Sequence, residues 1–166
     1  MFFLASGTVF GAADGAEAVA DLRGRGGERV GTVFFSETEA GVRLDIVIFD
    51  LAPGEHAFHI HEKAACGAPD FKSAGGHFNP GGVKHGFLAP EGPHAGDLPN
   101  IVVGKDGAFR GSVVTRRVTL KEGEGNSLFR GEGTSIVIHA DPDDYITDPA
   151  GRGGKRIACG RIRRIE

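Results

Sequence analysis

The sequence has no tryptophan, one tyrosine, one methionine and only two cysteines among its 166 residues. It contains no apolar run of the roughly 20 residues that a membrane-spanning helix requires, so we expect no membrane span. It also has no basic run, and its formal net charge is -3, which argues against a nucleic-acid partner. What remains is a chain long enough for one domain with a substantial core.

The sequence is rich in glycine, with 28 residues. These glycines separate short segments that are rich in β-branched residues and phenylalanine. Segments of this kind, bounded by turn signals, predict strands. The predicted strands are residues 18–22, 30–35, 42–49, 57–61, 101–103, 108–115, 118–120, 135–139 and 157–165. We expect Asp106-Gly107 to close a hairpin between residues 101–103 and 108–115. A set of about eight short strands favours an all-β sandwich or barrel.

Two long segments, residues 62–100 and 140–155, lack a strand pattern. Unstructured connections of this length are unusual in a compact domain and are usually functional. The apolar N-terminal segment, residues 1–15, admits two interpretations. It is either the remnant of a signal peptide without its basic start or an ordinary N-terminal extension. We predict a single domain over residues 16–166.

Six of the seven histidines form one pattern together with a carboxylate: His59, His61, His77, His85, His94, Asp97 and His139. Successive side chains of a strand point to opposite faces, so His59 and His61 share one face while Phe58 and Ile60 share the other. Two imidazoles about 7 Å apart along a strand can converge on one ion. The pattern therefore predicts histidines that face outward beneath the long loops, with the apolar residues in the core.

The donor types separate two metal sites. An all-imidazole set suits copper, whereas three imidazoles and one carboxylate suit zinc. The compact spacing of His85, His94 and Asp97 suits a closed zinc site. His77 is the candidate shared ligand, because each of the two nitrogens of an imidazole can bind one metal. His56 falls on the opposite strand face by parity, and we interpret it as a buried structural histidine that bonds to the backbone.

The residues that surround these histidines resemble the copper/zinc superoxide dismutase family. The resembling stretches are 54–62 (GEHAFHIHE), 77–80 (HFNP), 85–86 (HG), 94–100 (HAGDLPN), 135–139 (SIVIH) and 156–160 (RIACG). They occur in the family's order from about Ala18 to Gly160, and residues 69–76 resemble bacterial members more than animal ones. The resemblance implies a Greek-key barrel or sandwich of antiparallel strands with two metal-site loops.

The resemblance also implies a role for each site residue. The implied copper ligands are His59, His61, His77 and His139, and the implied zinc ligands are His77, His85, His94 and Asp97, with His77 as the bridge. Asp143 matches the carboxylate that accepts hydrogen bonds from His59 and His85 in such a site. Arg156 matches the active-site arginine that attracts the substrate anion. Cys66 and Cys159 match the pair that forms a disulfide.

The implied activity is dismutation of superoxide to oxygen and hydrogen peroxide through a Cu(II)/Cu(I) cycle, in which Arg156 and the zinc-supported His77 are the catalytic residues. The alternative is a copper or zinc carrier or storage protein that uses the same sites. A homodimer is expected and a monomer stays possible, because the basic C-terminal end departs from the family pattern. A stable disulfide favours a periplasmic or secreted protein, although the family also has cytosolic members.

Overall fold

The computed structural model describes residues 15–166, and ten β-strands form its framework. The strands are β1 (Ala18–Gly24), β2 (Arg29–Thr38), β3 (Gly41–Ile48), β4 (Gly54–His56), β5 (Phe58–His61), β6 (Ile101–Val103), β7 (Phe109–Thr115), β8 (Ser135–His139), β9 (Arg156–Arg161) and β10 (Arg163–Arg164). A short 3-10 turn, Lys72–Ala74, is the only helical element in this part of the chain. Nothing helical in it is long and apolar enough to cross a membrane.

The strands form an antiparallel sheet that curls around one core, which confirms the all-β prediction. Its strand order is β5-β8-β9-β1-β2-β3-β7, and β10 pairs with β1. A second, two-stranded sheet consists of β4 and β6. The chain passes from one end of this strand order to the other when it goes from β3 to β5, from β5 to β7 and from β7 to β8, where β5 and β7 are the edge strands. These crossing connections are typical of Greek-key folds.

The predicted hairpin over residues 101–115 is wrong, although its turn forms. The amide of Gly107 donates to the carbonyl of Gly104 at 2.9 Å, as expected of a tight turn. The flanking strands nevertheless pair elsewhere, because β6 joins β4 and β7 joins β3 over seven residue pairs from Val42–Thr115 to Ile48–Phe109. A turn sequence specifies a local reversal, whereas the long ladder with β3 decides where β7 lies.

Two other predicted strands differ from the structure. Residues 118–120 form no strand, since Thr119 makes only an isolated bridge with Ser127, yet Val118 and Leu120 are buried in the core. The predicted strand 157–165 is divided into β9 and β10 at Ile162, which is also buried. Apolar periodicity therefore identified buried residues correctly here, but burial alone does not require a hydrogen-bonded strand.

Strand alternation places the apolar residues of β5 and β8 in the core. Phe58, Ile60, Ile136 and Ile138 belong to the main hydrophobic cluster. The opposite face of β8 is also buried, because Val137 packs with a second cluster that contains Phe71, Ala74 and Cys159. This second cluster attaches the first long loop to the outer face of the sheet, above the strands that carry the histidines.

Cys66 and Cys159 form the predicted disulfide, which links residues 93 positions apart. Replacing both cysteines by alanine is expected to lower the free energy of unfolding by about 2–5 kcal/mol, because the crosslink restricts the unfolded chain. Urea titration of metal-free wild type and variant measures this difference. Equal stability of the two proteins would show that the loop is held by packing of the second cluster alone.

Candidate metal centre

The free edge of β5 organises the first long loop and places its histidines. The backbone of Ile60 accepts a hydrogen bond from the Phe78 amide at 2.8 Å and donates one to the Gly96 carbonyl at 2.9 Å. Isolated bridges also pair His59 with Asp97 and His61 with His77. A segment without a strand pattern is thus ordered by an edge strand whose backbone groups would otherwise lack partners.

The first cluster consists of four buried imidazoles: His59, His61, His77 and His139. One ring nitrogen of each lies within 4.8 Å of the others. The Nε2 atoms of His61 and His139 are 3.4 Å apart. Among the described residues, His59 Nδ1 and His77 Nε2 are buried without a hydrogen-bond partner. Leaving a buried nitrogen unsatisfied is unfavourable, so this donor set fits a bound metal ion.

The second cluster consists of His77, His85, His94 and Asp97, and it is also buried. The Oδ1 atom of Asp97 lies 2.9 Å from His77 Nδ1 and 3.0 Å from His85 Nδ1. The Nδ1 atoms of His77 and His94 are 3.4 Å apart. Three imidazoles and a carboxylate are a donor set that fits zinc. His77 belongs to both clusters: its Nδ1 contacts the second, and its Nε2 is buried without a hydrogen-bond partner and so is left for the first.

Asp143 connects the two clusters through the ring nitrogens of His59 and His85 that point away from the clusters. Its Oδ2 accepts a hydrogen bond from His59 Nε2 at 2.8 Å, and its Oδ1 accepts one from His85 Nε2 at 2.9 Å. The amide of Tyr145 donates to the same Oδ1 at 2.7 Å. Since each ring donates through Nε2, the Nδ1 atom of each ring is turned toward its cluster, which is how such outer contacts orient metal ligands.

Arg156 lies beside the first cluster and is held by two backbone carbonyls. It donates to the Phe71 carbonyl at 2.8 Å and to the Gly75 carbonyl at 2.7 Å. The Gly75 carbonyl also accepts a hydrogen bond from His61 Nδ1 at 3.0 Å. Arg156 lines a cleft of about 500 Å³, and three imidazoles of the first cluster, His61, His77 and His139, line the same cleft. The cleft therefore combines a fixed positive charge with the open side of the imidazole cluster.

Comparison with known proteins agrees with this geometry. The sequence profile of the family described as copper/zinc superoxide dismutase (SODC) matches residues 29–162. The chain belongs to this family. It is 55% identical over 148 residues to superoxide dismutase [Cu-Zn] 2 of Aquifex aeolicus, covering 89% of this chain and 86% of that protein. It is 43% identical to superoxide dismutase [Cu-Zn] of Caulobacter vibrioides, covering 88% of this chain and 85% of the relative.

Solved structures show the same fold. A SOD-like protein from Bacillus subtilis superposes with a TM-score of 0.83 at 41% identity, covering 86% of this chain and 96% of that one. The Cu/Zn superoxide dismutase from Brucella abortus superposes with a TM-score of 0.71 at 34% identity, covering 89% and 100%. The family implies copper and zinc as cofactors, and the two histidine clusters suit them.

Burial keeps three imidazoles of the first cluster, His61, His77 and His139, neutral. It lowers the pKa of His77 to about 4, the pKa of His139 to about 3 and the pKa of His61 well below its ordinary value. Like charges of neighbouring histidines act in the same direction for all three rings. Neutral imidazole is the form that binds metal, so these rings are ready as ligands at neutral pH.

His85 differs because it faces two carboxylates. Burial lowers its pKa, but hydrogen bonds to Asp143 and Asp97 outweigh burial and raise the pKa to about 9. Burial raises the pKa of each carboxyl in turn, yet hydrogen bonds from the surrounding histidines hold the pKa of Asp97 and of Asp143 well below the ordinary range. In the metal-free protein at neutral pH, His85 is therefore a cation between two anions.

Zinc binding is expected to release about one proton from His85 at pH 7 and none well above pH 9, since a metal replaces the proton on the ligand nitrogen. Below pH 9 the zinc affinity should fall by up to about tenfold per pH unit for this one proton. Isothermal titration calorimetry in buffers of different ionisation enthalpy measures the proton count. A count that stays constant between pH 7 and pH 10 would contradict the assigned charge of His85.

Several positioning residues were not anticipated from the sequence. The Asn100 side chain accepts from the Asp143 amide at 2.9 Å and donates to the Asp143 carbonyl at 3.0 Å. Tyr145 Oη accepts a hydrogen bond from the Asn100 amide at 2.8 Å. Arg117 donates to the carbonyl of Asp97 at 2.8 Å. Asn100 ends the HAGDLPN stretch and could have been noticed there, whereas Arg117 follows β7 without any local signal.

His56 bonds to the backbone, as interpreted from the sequence. Its Nδ1 lies 2.8 Å from the carbonyl of His139 and its Nε2 lies 2.8 Å from the carbonyl of Ala52. Strand parity is not the reason for this placement, because β4 ends at His56 and a separate strand begins at Phe58. The contact instead joins the small sheet to the backbone of a histidine in the first cluster.

Proposed function

We propose that the first cluster holds copper, that the second holds zinc, and that the protein dismutates superoxide to oxygen and hydrogen peroxide. The proposed copper ligands are His59, His61, His77 and His139, and the proposed zinc ligands are His77, His85, His94 and Asp97. The observation that carries the proposal is the position of His77, which faces one cluster with each ring nitrogen. A shared imidazole of this kind suits two metals that act together.

When bound, copper supplies the one-electron Cu(II)/Cu(I) redox chemistry and zinc supplies a redox-inert Lewis acid. Arg156 binds and orients the superoxide anion through its fixed guanidinium, which lines the cleft. His77 can hold a proton at Nε2 for the forming peroxide, because its Nδ1 belongs to the zinc cluster. Asp143 and the Gly75 carbonyl keep His59 and His61 in the orientation that this chemistry needs.

A carrier or storage function is the alternative, and the arginine beside the copper cluster disfavours it. A storage site has no need of a fixed positive charge in the cleft that the ligand rings line. Metal analysis, the copper EPR spectrum and a superoxide assay of protein loaded with both metals distinguish the two functions. Stoichiometric binding of both metals without any turnover would favour the carrier.

Arg156→Glu is expected to reduce kcat/KM for superoxide about tenfold or more at low ionic strength, because it reverses the local charge that attracts the anion. The difference should shrink toward 0.15 M salt, where charges are screened beyond about 8 Å. Pulse radiolysis over a salt series measures both effects. Arg152→Glu is the matched control, since Arg152 is exposed near Asp144 and is not part of this cleft. Identical rates and salt slopes for the two variants would remove the role of Arg156.

The proposal also includes the bounds of the domain, the oligomeric state and the cellular compartment of the protein. Residues 16–166 form the superoxide dismutase domain, and the segment 1–15 lies outside the described residues except for Gly15. The disulfide favours an oxidising compartment, so the protein acts outside the cytoplasm, in the periplasm or after secretion. The family resemblance favours a homodimer, and a monomer is the alternative. Cell fractionation and sedimentation velocity test the location and the assembly separately.

A further inference from the structure

A second cleft lies beside the Cys66–Cys159 disulfide. It has a volume of about 590 Å³ and shares no lining residue with the cleft over the copper cluster. Small loop side chains, among them Ala64 and Ala65, line one side, and arginines from the sheet line the other. Both cysteines are part of the lining. A molecule in this cleft would therefore contact the disulfide without reaching the metal clusters.

Strand pairing explains why arginines surround this disulfide. Arg23 on β1 lies directly opposite Cys159 on β9 in the antiparallel pair. Residues opposite each other in such a pair have side chains on the same face, about 5 Å apart. Arg161 follows Cys159 by two residues on β9, so its side chain points to the same outer face. Ala158, the neighbour of Cys159 on this strand, points to the core instead. The positive charges therefore follow from the register of the sheet.

The charges that line the cleft are three arginines and one aspartate: Arg23, Arg161, Arg163 and Asp21. Arg163 donates to Asp21 at 3.1 Å, and Arg23 donates to the Gly27 carbonyl at 2.8 Å. Within residues 15–166, the side chain of Arg161 has no carboxylate or carbonyl partner, and it is exposed. The lining therefore has an excess of positive charge next to a bond that thiolates can attack.

We propose that this cleft binds small thiols that carry an additional negative charge and that these thiols exchange with the Cys66–Cys159 disulfide. The thiolate attacks Sγ of Cys66, because Cys66 is partly exposed whereas Cys159 is only 1% exposed. The S–S bond breaks, and its electron pair leaves on Sγ of Cys159 as a thiolate beside Arg23. A nearby positive charge stabilises that leaving thiolate.

A second thiolate then attacks the sulfur of the bound small thiol and releases Cys66 as a thiolate. In total, two small thiols are oxidised to one disulfide, and the protein disulfide is reduced to two cysteine thiols that take up the two protons. The exchange also removes the covalent attachment of the Cys66 loop to the sheet and leaves noncovalent contacts such as the packing of Phe71 and Ala74 against it. That loop supplies the Phe71 and Gly75 carbonyls that hold Arg156, so the redox state of this cleft reaches the arginine.

The test compares mercaptoacetate, 2-mercaptoethanol and cysteamine, which are anionic, neutral and cationic beside the thiol. Each reduces the metal-loaded protein at low salt, and alkylation followed by mass spectrometry counts the protein thiols with time. Dividing each rate by the rate with a neutral model disulfide removes differences in intrinsic nucleophilicity. We expect the normalised rate of mercaptoacetate to exceed that of cysteamine about tenfold, as for charges attracted by a local field.

In Arg161→Gln the ratio of the normalised mercaptoacetate rate to the normalised cysteamine rate, here called the spread, should fall to about threefold, because the substitution removes the unpaired charge from the cleft. Lys105→Gln is the matched control, since it makes the same charge change in the exposed turn between β6 and β7 and should keep the wild-type spread. Equal normalised rates for the three thiols, an equal spread in the two variants, or no reduction by any thiol would each overturn the proposal. The readout counts protein thiols, so it is independent of whether the protein dismutates superoxide.

Discussion

His61→Ala is expected to reduce superoxide dismutation to the background rate while the zinc content and the fold are kept. His61 contributes to the first cluster only, and its Nε2 lies 3.4 Å from that of His139. Removing it leaves three imidazoles, which lose the four-nitrogen set that favours copper. Metal analysis, circular dichroism and a superoxide assay of the purified variant measure the three quantities.

His94→Ala is the matched comparison, because His94 contributes to the second cluster only. It should lose zinc, keep copper and retain part of the activity, since the four donors of the first cluster are untouched. We therefore expect His61→Ala to lose copper and keep zinc, and His94→Ala to lose zinc and keep copper. If both lose the same metal, or if His61→Ala keeps wild-type activity, the division into a copper set and a zinc set is wrong.

Asp143→Asn is expected to weaken the binding of both metals by about 10–100-fold, the usual cost of removing a contact that orients a metal ligand. Each carboxylate oxygen of Asp143 accepts from one imidazole, His59 or His85. An amide keeps one acceptor oxygen and turns an NH2 donor toward the other ring, which must then change its tautomer or move. Competition with a chelator of known affinity measures the loss for copper and for zinc separately.

Asp144→Asn is the control, because Asp144 is the adjacent carboxylate and caps the Thr147 turn without touching a histidine. It should keep both affinities within about twofold of wild type, because Asp144 is only partly buried and contacts no proposed ligand. A loss confined to zinc in Asp143→Asn would mean that Asp143 orients His85 but contributes nothing to His59.

The donor residues of the site could be recognised from the sequence, because metal chemistry restricts residue types. His59, His61 and His139 lie on predicted strands, and alternation places them opposite Phe58, Ile60 and Ile138. The resemblance to the family then supplied the role of each residue. Its assignment of individual ligands stays a prediction until metals are measured, although the structure brings all of these side chains together.

Positioning residues were harder to anticipate, because their roles depend on contacts between distant segments. Asn100 holds Asp143 from 43 residues away, and the Gly75 carbonyl serves both His61 and Arg156. Backbone carbonyls have no residue-type signature, so the sequence offers no signal for the second contact. The same limitation explains the wrong hairpin, since strand partners of β6 and β7 are decided by ladders with β4 and β3.

The sequence by itself determined the all-β class, the core-facing residues of the strands that carry histidines (Phe58, Ile60, Ile136 and Ile138) and the set of six histidines and one carboxylate. These follow from local alternation and from the few side chains that bind metals. Only the tertiary structure decided which ring nitrogen faces which cluster, how the edge of β5 orders the long loop, and why Arg23 and Arg161 surround the disulfide. Each of those depends on pairing between segments far apart in the chain, which cooperative packing selects and no local pattern encodes.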